Sequence, residues 1–343
     1  MEPIESIREK LAEPKGSAAF ENWYENPAAQ PQRYLEAVRC FEKAFGTGRR
    51  AALFSSPGRC EIIGNHTDHQ FGRAVAAAVT LDMIAVAAPN GSHTVRVVSE
   101  GYSAAVVELD DLAPRIREKG MPSALIRGTA AGLTRAGFSP AGFDAYVSSH
   151  LPSGAGLSSS ASFECLIGAI FNVFFCGGKA SAVQIAQAGR FAESEYFGKP
   201  CGLMDQLACA TGGFAAMDFA EPAAPQVRRQ TFSPRQHGLC LFSVHTGGSH
   251  ADLTGQYAAI PAEMKEVAAC FDRQVLRQVP EDLFQRIKDY LHRNNISQKD
   301  FVIGLIEDEL SREQAERENI SEDEQPYVKD ENEILSEYET TET

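Results

Sequence analysis

The alternation of hydrophobic and polar positions predicts helices and strands that follow one another without a strict order. Before about residue 45, the apolar side chains of Tyr34, Ala37, Val38 and Phe41 recur three or four positions apart, which is typical of a helix with one buried face. Similar spacing predicts helices over residues 123–136, 161–175, 183–197 and 257–270. Runs of β-forming residues predict strands at 51–54, 74–79, 83–88, 94–98, 143–148, 213–219 and 239–245. This mixture favours an α+β protein with two lobes.

Length and charge indicate how many domains the chain contains and where its acidic segment lies. The chain has 343 residues, of which 43% are hydrophobic, so it is long enough for about two domains with buried cores. The net charge is −14, and the segment from Glu307 onward, with fifteen acidic and three basic side chains, carries −12 of it. We therefore expect a nearly neutral body followed by an acidic segment that is either disordered or a solvated helix. The acidic balance argues against nucleic acid or an anionic membrane as the main partner.

The sequence contains no pattern typical of a membrane anchor or a secretion signal. The apolar run at residues 74–88 is interrupted by Asp82, and the run at 166–176 is shorter than the about 20 residues that a membrane-spanning helix needs. The first residues, MEPIESIREK, lack a basic region followed by an apolar one. The eight cysteines form no Cys-x-x-Cys pair, so neither a disulfide framework nor a zinc site is indicated. We expect a reduced, cytoplasmic protein, and the sequence leaves its oligomeric state open.

A segment rich in glycine and serine carries the clearest chemical signal. It reads PSGAGLSSS at residues 152–160 and continues directly into the apolar residues 161–175. Gly154 and Gly156 would let backbone amides approach an anion, and the first turn of the predicted helix carries partial positive charge. A flexible linker is the alternative, but a linker would not lead directly into an apolar helix. The segment has neither the lysine of a Walker loop nor the context of a dinucleotide-binding fingerprint.

Residues 56–69, SPGRCEIIGNHTDH, form a dense polar segment after a predicted strand. Arg59 is a permanent cation suited to phosphate. Asn65, His66 and Asp68 offer the mixed donors and acceptors that a polyhydroxylated ligand needs. A metal site from His66, Asp68 and His69 follows no known ligand spacing. A polar loop that caps neighbouring helices is the other interpretation.

Two further carboxylates are candidates for chemistry. Asp205 lies in an apolar stretch with Met204 and Leu207, where a carboxylate is either satisfied by capping amides or held ready for reaction. Glu193, on the predicted helix before it, could reach a Mg²⁺ ion together with a serine hydroxyl of the glycine- and serine-rich segment. A single Glu on a helix more commonly lies on a solvated face, which is the alternative for Glu193.

Taken in order, these three segments resemble the signatures of the GHMP small-molecule kinases and, within them, the galactokinases. PGR and GNHTD in residues 57–68 resemble the galactokinase signature, residues 151–161 the second, ATP-binding motif, and CGLMDQ at 201–206 the segment with the family's catalytic aspartate. The resemblance covers about residues 20–285. It implies a GHMP kinase-like α+β fold with the active site in the cleft between two lobes. The expected divisions are an N-terminal lobe at 1–190, a partial C-terminal lobe at 191–285, and an atypical acidic tail at 286–343.

The resemblance also implies a reaction and a role for each candidate residue. A galactokinase transfers the γ-phosphoryl of ATP to the 1-hydroxyl of D-galactose, giving galactose 1-phosphate and ADP. Asp205 matches the catalytic base and Arg59 the arginine beside it. The sugar-binding positions are matched by Asn65, His66, Asp68, Gly202 and Tyr257, the ATP-binding loop by Gly154, Ala155, Gly156, Leu157, Ser158, Ser159 and Ser160, and the Mg²⁺ ligands by Ser160 and Glu193.

The sequence departs from the family pattern at two places. Asn65 stands where most galactokinases have Glu, so a charge-assisted hydrogen bond to the sugar is replaced by a neutral one. After Tyr257 there is no match to the family's third, glycine-rich motif, which leads us to expect an incomplete C-terminal lobe. The alternatives are therefore a non-catalytic galactose- and ATP-binding sensor or an inactive, truncated galactokinase. A related kinase of mevalonate or homoserine is disfavoured by the His-Thr-Asp sequence.

Overall fold

An eight-stranded sheet forms the centre of the fold. The computed structural model describes residues 1–13, 16–152, 154–232, 234–244 and 254–295, together with Ser311. The strands of the sheet are β1 (Glu2–Pro3), β2 (Arg50–Ile63), β3 (Arg73–Pro89), β4 (Thr94–Ser99), β5 (Ala105–Glu108), β6 (Phe143–Ser149), β7 (Phe214–Asp218) and β8 (Gln226–Gln230). The helices in the described residues are α1 (Ile4–Ala12), α2 (Gln30–Phe45), α3 (Pro122–Arg135), α4 (Ser159–Phe175), α5 (Ala182–Phe191), α6 (Met204–Thr211), α7 (Thr254–Ala269) and α8 (Glu281–Arg293).

The sheet is mostly antiparallel. Its main order is β1-β2-β3-β6-β4-β5, and β7 pairs with the first part of β3 and carries β8 on its other side. Only β4 and β6 pair in parallel among the described strands. Helices and antiparallel strands thus build one layered structure, which confirms the predicted α+β class.

Strand β3 runs through the middle of the sheet and separates two cores. Ile84, Val86 and Ala88 point to one face and pack with α1 and α2, whereas Ala85 and Ala87 point to the other and pack with α3, α4 and α5. This division follows from the two-residue period of a strand. The first part of β3 joins β7 and α6 in a third cluster.

The prediction of two strands at 74–79 and 83–88 was wrong, because they form the single strand β3. The pattern breaks at Asp82, which is buried but paired: Arg33 Nη1 donates to its Oδ1 over 2.5 Å, and the hydroxyls of Tyr24 and Ser55 donate to its Oδ2. A buried charge that is paired and hydrogen-bonded does not have to end a strand.

Two other expectations differ from the structure. The helix predicted over residues 183–197 is regular only as α5 and continues as a π-helical turn, Ala192–Phe197, which contains Glu193. Residues 239–244 form no strand, since they pair with no neighbouring strand in the described part of the chain, and His245 lies outside that part.

The chain divides into two compact units. The first is Met1–Gln278 and contains the whole sheet; the second begins at Val279 and contains α8. Helix α8 has acidic residues in its first turn and His292 and Arg293 in its last, an arrangement that complements the helix dipole. The predicted boundaries at residues 190 and 285 stay predictions. Among the described residues, no helix combines the length and apolar character that crossing a membrane requires.

Candidate active site

Arg59 and Asp205 form a bidentate ion pair at the centre of the site. Arg59 Nε lies 2.7 Å from Asp205 Oδ1, and Arg59 Nη2 lies 2.6 Å from Asp205 Oδ2. The Arg59 side chain is 8% exposed and that of Asp205 30%, so the carboxylate keeps an open side while the arginine is enclosed. Two parallel charge-assisted bonds fix the position of the carboxylate as well as its charge.

A β-bulge places Arg59 against the glycine- and serine-rich loop. The pairing of β2 with β3 shifts between Pro57 and Arg59, and such a bulge re-aims a side chain. A Cβ atom on Gly58 would lie 2.4 Å from Leu151 Cδ2 and 2.7 Å from the carbonyl oxygen of Leu157, so only glycine allows this approach. The Arg59 amide then donates to the Leu157 carbonyl over 3.2 Å, and Arg59 Nη1 donates to the Gly156 carbonyl over 2.6 Å.

The surroundings keep Asp205 ionised. Burial raises its pKa, but the charge of Arg59 and the hydrogen bonds from Arg59 and from the Ser158 hydroxyl lower it by more, and the charge of His66 lowers it slightly further. The net pKa lies below the ordinary carboxyl value. Asp205 is therefore a carboxylate at neutral pH, able to accept a proton from a hydroxyl placed beside it.

The glycine- and serine-rich loop lies at the start of helix α4. Gly154, Gly156 and Ser158 have φ angles of 71°, 74° and 58°, which turn the loop sharply before the helix begins at Ser159. The Ser158 hydroxyl donates to Asp205 and does not cap α4, so the helix has no side-chain cap from this residue. Free first-turn amides and the helix dipole suit an anion such as phosphate. Of the predicted ATP-binding residues, Leu157 is buried and anchors the loop to Arg59 through its carbonyl.

Ser160 and Glu193 lie together, as the sequence predicts for a metal site. Ser160 Oγ donates to Glu193 Oε1 over 2.8 Å, and Lys199 Nζ lies 3.2 Å from the same oxygen. Glu193 is buried on the π-helical turn, a feature that is frequent at functional sites. A hydroxyl and a carboxylate oxygen are donors that Mg²⁺ prefers, and Mg²⁺ commonly takes its remaining ligands from phosphates and water. The donor set therefore fits a nucleotide-bound Mg²⁺ ion.

The candidate sugar segment reaches helix α6 through Asp68. Asp68 is buried, and its Oδ2 accepts a hydrogen bond from the Met204 amide over 2.9 Å, at the first residue of α6. A Cβ atom on Gly202 would lie 1.8 Å from that same Oδ2, so the two predicted sugar-binding positions are in direct contact. Asp68 thus connects the segment to the helix that carries Asp205.

Asn65 and His66 form an exposed turn beside this connection. Both have left-handed backbone conformations, with φ angles of 53° and 51°, which are uncommon outside glycine and concentrate at functional sites. Tyr257 lies in α7, but its side chain is outside the described part of the structure. His69 Nε2 lies 3.5 Å from Met264 Sδ, so α7 packs next to the sugar segment.

Two further residues, Glu61 and Lys199, hold the site together although no motif in the sequence singled them out. Glu61 Oε1 accepts a hydrogen bond from the His66 amide over 3.1 Å, and Glu61 Oε2 lies 3.4 Å from His66 Nε2. Lys199, as described above, pairs with Glu193. Glu61 could have been noticed as a carboxylate inside the polar segment, whereas the proximity of Lys199 depends on the π-helical turn.

Comparison with known proteins supports the resemblance at both halves of the site. Residues 39–89, which include Arg59 and the Asn65–Asp68 segment, match the galactokinase galactose-binding signature. Residues 124–213, which include the glycine- and serine-rich loop, Glu193 and Asp205, match the GHMP kinases N terminal domain.

Individual relatives agree with these matches. A galactokinase of Bacillus subtilis (strain 168) is 32% identical over 176 residues, which are 50% of this chain and 44% of the relative. The chain thus matches less than half the length of this curated relative. The crystal structure of Lactococcus lactis galactokinase complexed with galactose has the same fold, with a TM-score of 0.61 and 22% identity over 75% of this chain and 67% of that one. The chain is therefore similar to the galactokinases in part of its sequence and in its fold, and its matches are to the GHMP kinases N terminal domain and the galactokinase galactose-binding signature.

Proposed function

We propose that this chain is a sugar kinase that transfers the γ-phosphoryl group of ATP to the 1-hydroxyl of D-galactose, giving galactose 1-phosphate and ADP. The observation that carries the proposal is the Asp205 carboxylate, held bidentately by Arg59 and bonded to Ser158 at the phosphate loop, with the sugar segment joined to the same helix. The galactose-binding signature supports galactose as the sugar.

In the proposed reaction, the 1-hydroxyl oxygen forms a bond to the γ-phosphorus as the bond from that phosphorus to the β,γ-bridging oxygen breaks. Asp205 accepts the hydroxyl proton, and the departing electrons remain on ADP. Arg59 compensates the charge of Asp205 before the reaction, and its guanidinium would stabilise the negative charge that develops on the transferred phosphoryl group. Most of the catalysis is positioning, since phosphoryl transfer requires little covalent chemistry from the protein.

Ser160 and Glu193 would hold the Mg²⁺ ion that accompanies ATP, and the amides of the loop at Gly154, Ala155, Gly156, Ser158 and Ser159 would bind the phosphates. A bound Mg²⁺ ion neutralises phosphate charge in such a site. Asn65, His66, Asp68, Gly202 and Tyr257 would surround the sugar. A cytoplasmic location stays a prediction.

A non-catalytic galactose- and ATP-binding protein is the second candidate. It is favoured by one feature, the lack of a match to the third glycine-rich motif after Tyr257 in the sequence. The paired Asp205 and Arg59 favour the enzyme, because a sensor needs no base.

Replacing Asp205 separates the two candidates. We expect Asp205→Asn to lower kcat about a hundredfold or more, since it removes the base, while the dissociation constants for galactose and ATP change by less than about threefold. Phosphorus NMR of the product and calorimetry of both ligands measure these effects. Asp110→Asn, at an exposed carboxylate, serves as the matched control. A wild-type chain that binds both ligands but forms no galactose 1-phosphate would support the sensor.

A further inference from the structure

The side-chain amide of Gln206, next to Asp205 in the sequence, joins two buried carboxyl groups. Its Nε2 donates to Glu193 Oε2 over 2.8 Å and to Glu164 Oε2 over 3.0 Å. Gln206 and Glu164 are fully buried and Glu193 is 2% exposed. The same nitrogen also lies 3.7 Å from Cys201 Sγ, but an amide nitrogen has only two hydrogens and the two carboxyl oxygens are closer to it.

This amide determines how Glu193 faces the rest of the site. One Glu193 oxygen, Oε2, is held by Gln206, and the other, Oε1, therefore faces Ser160 Oγ and Lys199 Nζ. The three carboxyl and amide groups also come from three different elements: Glu164 from α4, Glu193 from the π-helical turn, and Gln206 from α6. The helix that begins at the phosphate loop is thus linked to the helix that carries Asp205.

The arrangement does not contribute to stability in the way an apolar core would. Within the part of the chain that the structure describes, Glu164 Oε1 and Gln206 Oε1 are buried without a hydrogen-bond partner. Burial, and then the neighbouring Glu193 charge, raises the pKa of Glu164 well above its ordinary value. Buried polar groups with unmet hydrogen bonds cost free energy, and apolar side chains of similar volume are often equally or more stabilising. A positioning role accounts for these groups better than a structural one.

We infer that Gln206, anchored by Glu164, is a positioning residue that holds Glu193 with its Oε1 turned toward Ser160 and toward the Mg²⁺ ion of the nucleotide. The inference rests on the proposed function. It assigns Gln206 no contact with either substrate. Its effect passes through Glu193.

Three variants test this inference in the full chain. Gln206→Met removes both donated hydrogen bonds and Glu164→Met removes the acceptor, whereas Glu164→Gln keeps an oxygen that accepts from Gln206. ATP binding is measured by calorimetry over a series of Mg²⁺ concentrations, without galactose. We expect the Mg²⁺ concentration for half-maximal ATP binding to rise about tenfold in both Met variants, as is typical when a residue behind a metal ligand is lost. In Glu164→Gln it should rise less than threefold, and KM for galactose should change little in all three variants.

The controls distinguish positioning from stability and from failure of the proposed function. Thr129 is fully buried and its hydroxyl has no hydrogen-bond partner among the described residues, so Thr129→Val should leave the Mg²⁺ dependence unchanged. If Gln206→Met does not fold, the comparison of Glu164→Met with Glu164→Gln decides, because only the second keeps the oxygen that accepts from Gln206. Folded variants with wild-type Mg²⁺ dependence would contradict the positioning role of Gln206 and would leave the proposed function unaffected. A wild-type chain whose ATP binding does not depend on Mg²⁺ would overturn the proposed metal site itself.

Discussion

The charge state of Asp205 is determined mainly by one neighbouring guanidinium. Burial acts to raise the Asp205 pKa, and it is the charge and hydrogen bonds of Arg59, aided by Ser158, that bring the pKa below its ordinary value. The two residues are distant in the sequence and meet because the bulge in β2 directs Arg59 toward the start of α6. Removing the guanidinium tests how far burial raises the Asp205 pKa and how far Arg59 lowers it.

Arg59→Met should raise the pKa of Asp205 above the ordinary carboxyl value of about 3.9, since burial then acts with less opposition. The acid limb of the pH–rate profile should move to higher pH by the same amount. Carbon NMR of the labelled carboxyl group measures the pKa directly. Arg39→Met, at an exposed arginine, is the control. An unchanged Asp205 pKa in Arg59→Met would show that Arg59 does not control the base.

Lys199 contacts the Glu193 oxygen that would also bind the proposed Mg²⁺ ion. Because Lys199 Nζ already pairs with Glu193 Oε1, it competes with a cation that binds there, at a cost of about 0.5–1 kcal/mol for a partly exposed pair. Lys199→Met should therefore lower the Mg²⁺ concentration for half-maximal ATP binding about threefold. This shift is opposite in sign to that expected for Gln206→Met. A rise in the Mg²⁺ requirement would instead indicate that Lys199 itself binds the phosphates.

At the scale of elements, helix α6 depends on a side chain from another part of the chain. Its own N-cap residue, Leu203, has no side chain that can accept a hydrogen bond, and Asp68 supplies the acceptor for the Met204 amide. Asp68→Ala should therefore lower the free energy of unfolding by about 1–2 kcal/mol, as for the loss of an N-cap. Asp68→Asn, which keeps an acceptor oxygen, should lose less than half of that. Urea unfolding without sugar separates this role from ligand binding. Equal losses in the two variants would contradict it.

The elements that the sequence predicted best are those with a strong hydrophobic period. The apolar positions of α2 and α4 indicated the helices, and the segments around Arg59, Ser158 and Asp205 indicated a phosphate-handling site. Strand β8 has a polar sequence and gave no strand signal. The single strand β3 was hidden by Asp82, since the partners that make its burial possible come from distant segments.

The hydrogen bonds that connect Glu164, Gln206 and Glu193 could not be predicted from the sequence either. Glu164 and Gln206 lie 42 residues apart, and each occurs in a mostly apolar helix where a single polar residue has no distinctive pattern. The π-helical turn that carries Glu193 continues α5 without any break in the periodicity. Such contacts depend on packing between helices, which the hydrophobic pattern of a single helix does not predict.

At the scale of the whole molecule, hydrogen bonds to Asp144 connect strand β6 with residues in or next to β2, β3 and β4. Asp144, on β6, is fully buried and accepts hydrogen bonds from Arg49 over 2.5 Å, from Arg96 over 2.6 Å, and from Asn90. Burial raises the pKa of Asp144, but the hydrogen bonds from these three residues and the charge of Arg49 lower it by more, and the net pKa is below the ordinary value.

Asp144→Asn should cost about 3 kcal/mol of unfolding free energy, because it leaves two arginines without their shared carboxylate. The folded-state pKa lies below the unfolded-state pKa, so Asp144 contributes stability above the unfolded value and loses it as the pH falls through the folded one. The variant should therefore unfold with less pH dependence than the wild type below about pH 5. Urea unfolding across pH measures both effects, with Glu36→Gln at an exposed ion pair as the control. Equal stability of Asp144→Asn and the wild type at pH 7 would contradict this account.

The most direct test of the central claim is ADP formation by the purified chain with Mg²⁺ and ATP, measured with and without galactose. We predict ADP formation that requires galactose and that Asp205→Ala abolishes, because the glycine- and serine-rich loop, Asp205 and the candidate sugar segment lie within one unit. A folded wild-type chain that binds galactose and ATP but forms no ADP would contradict the claim that this site is a kinase.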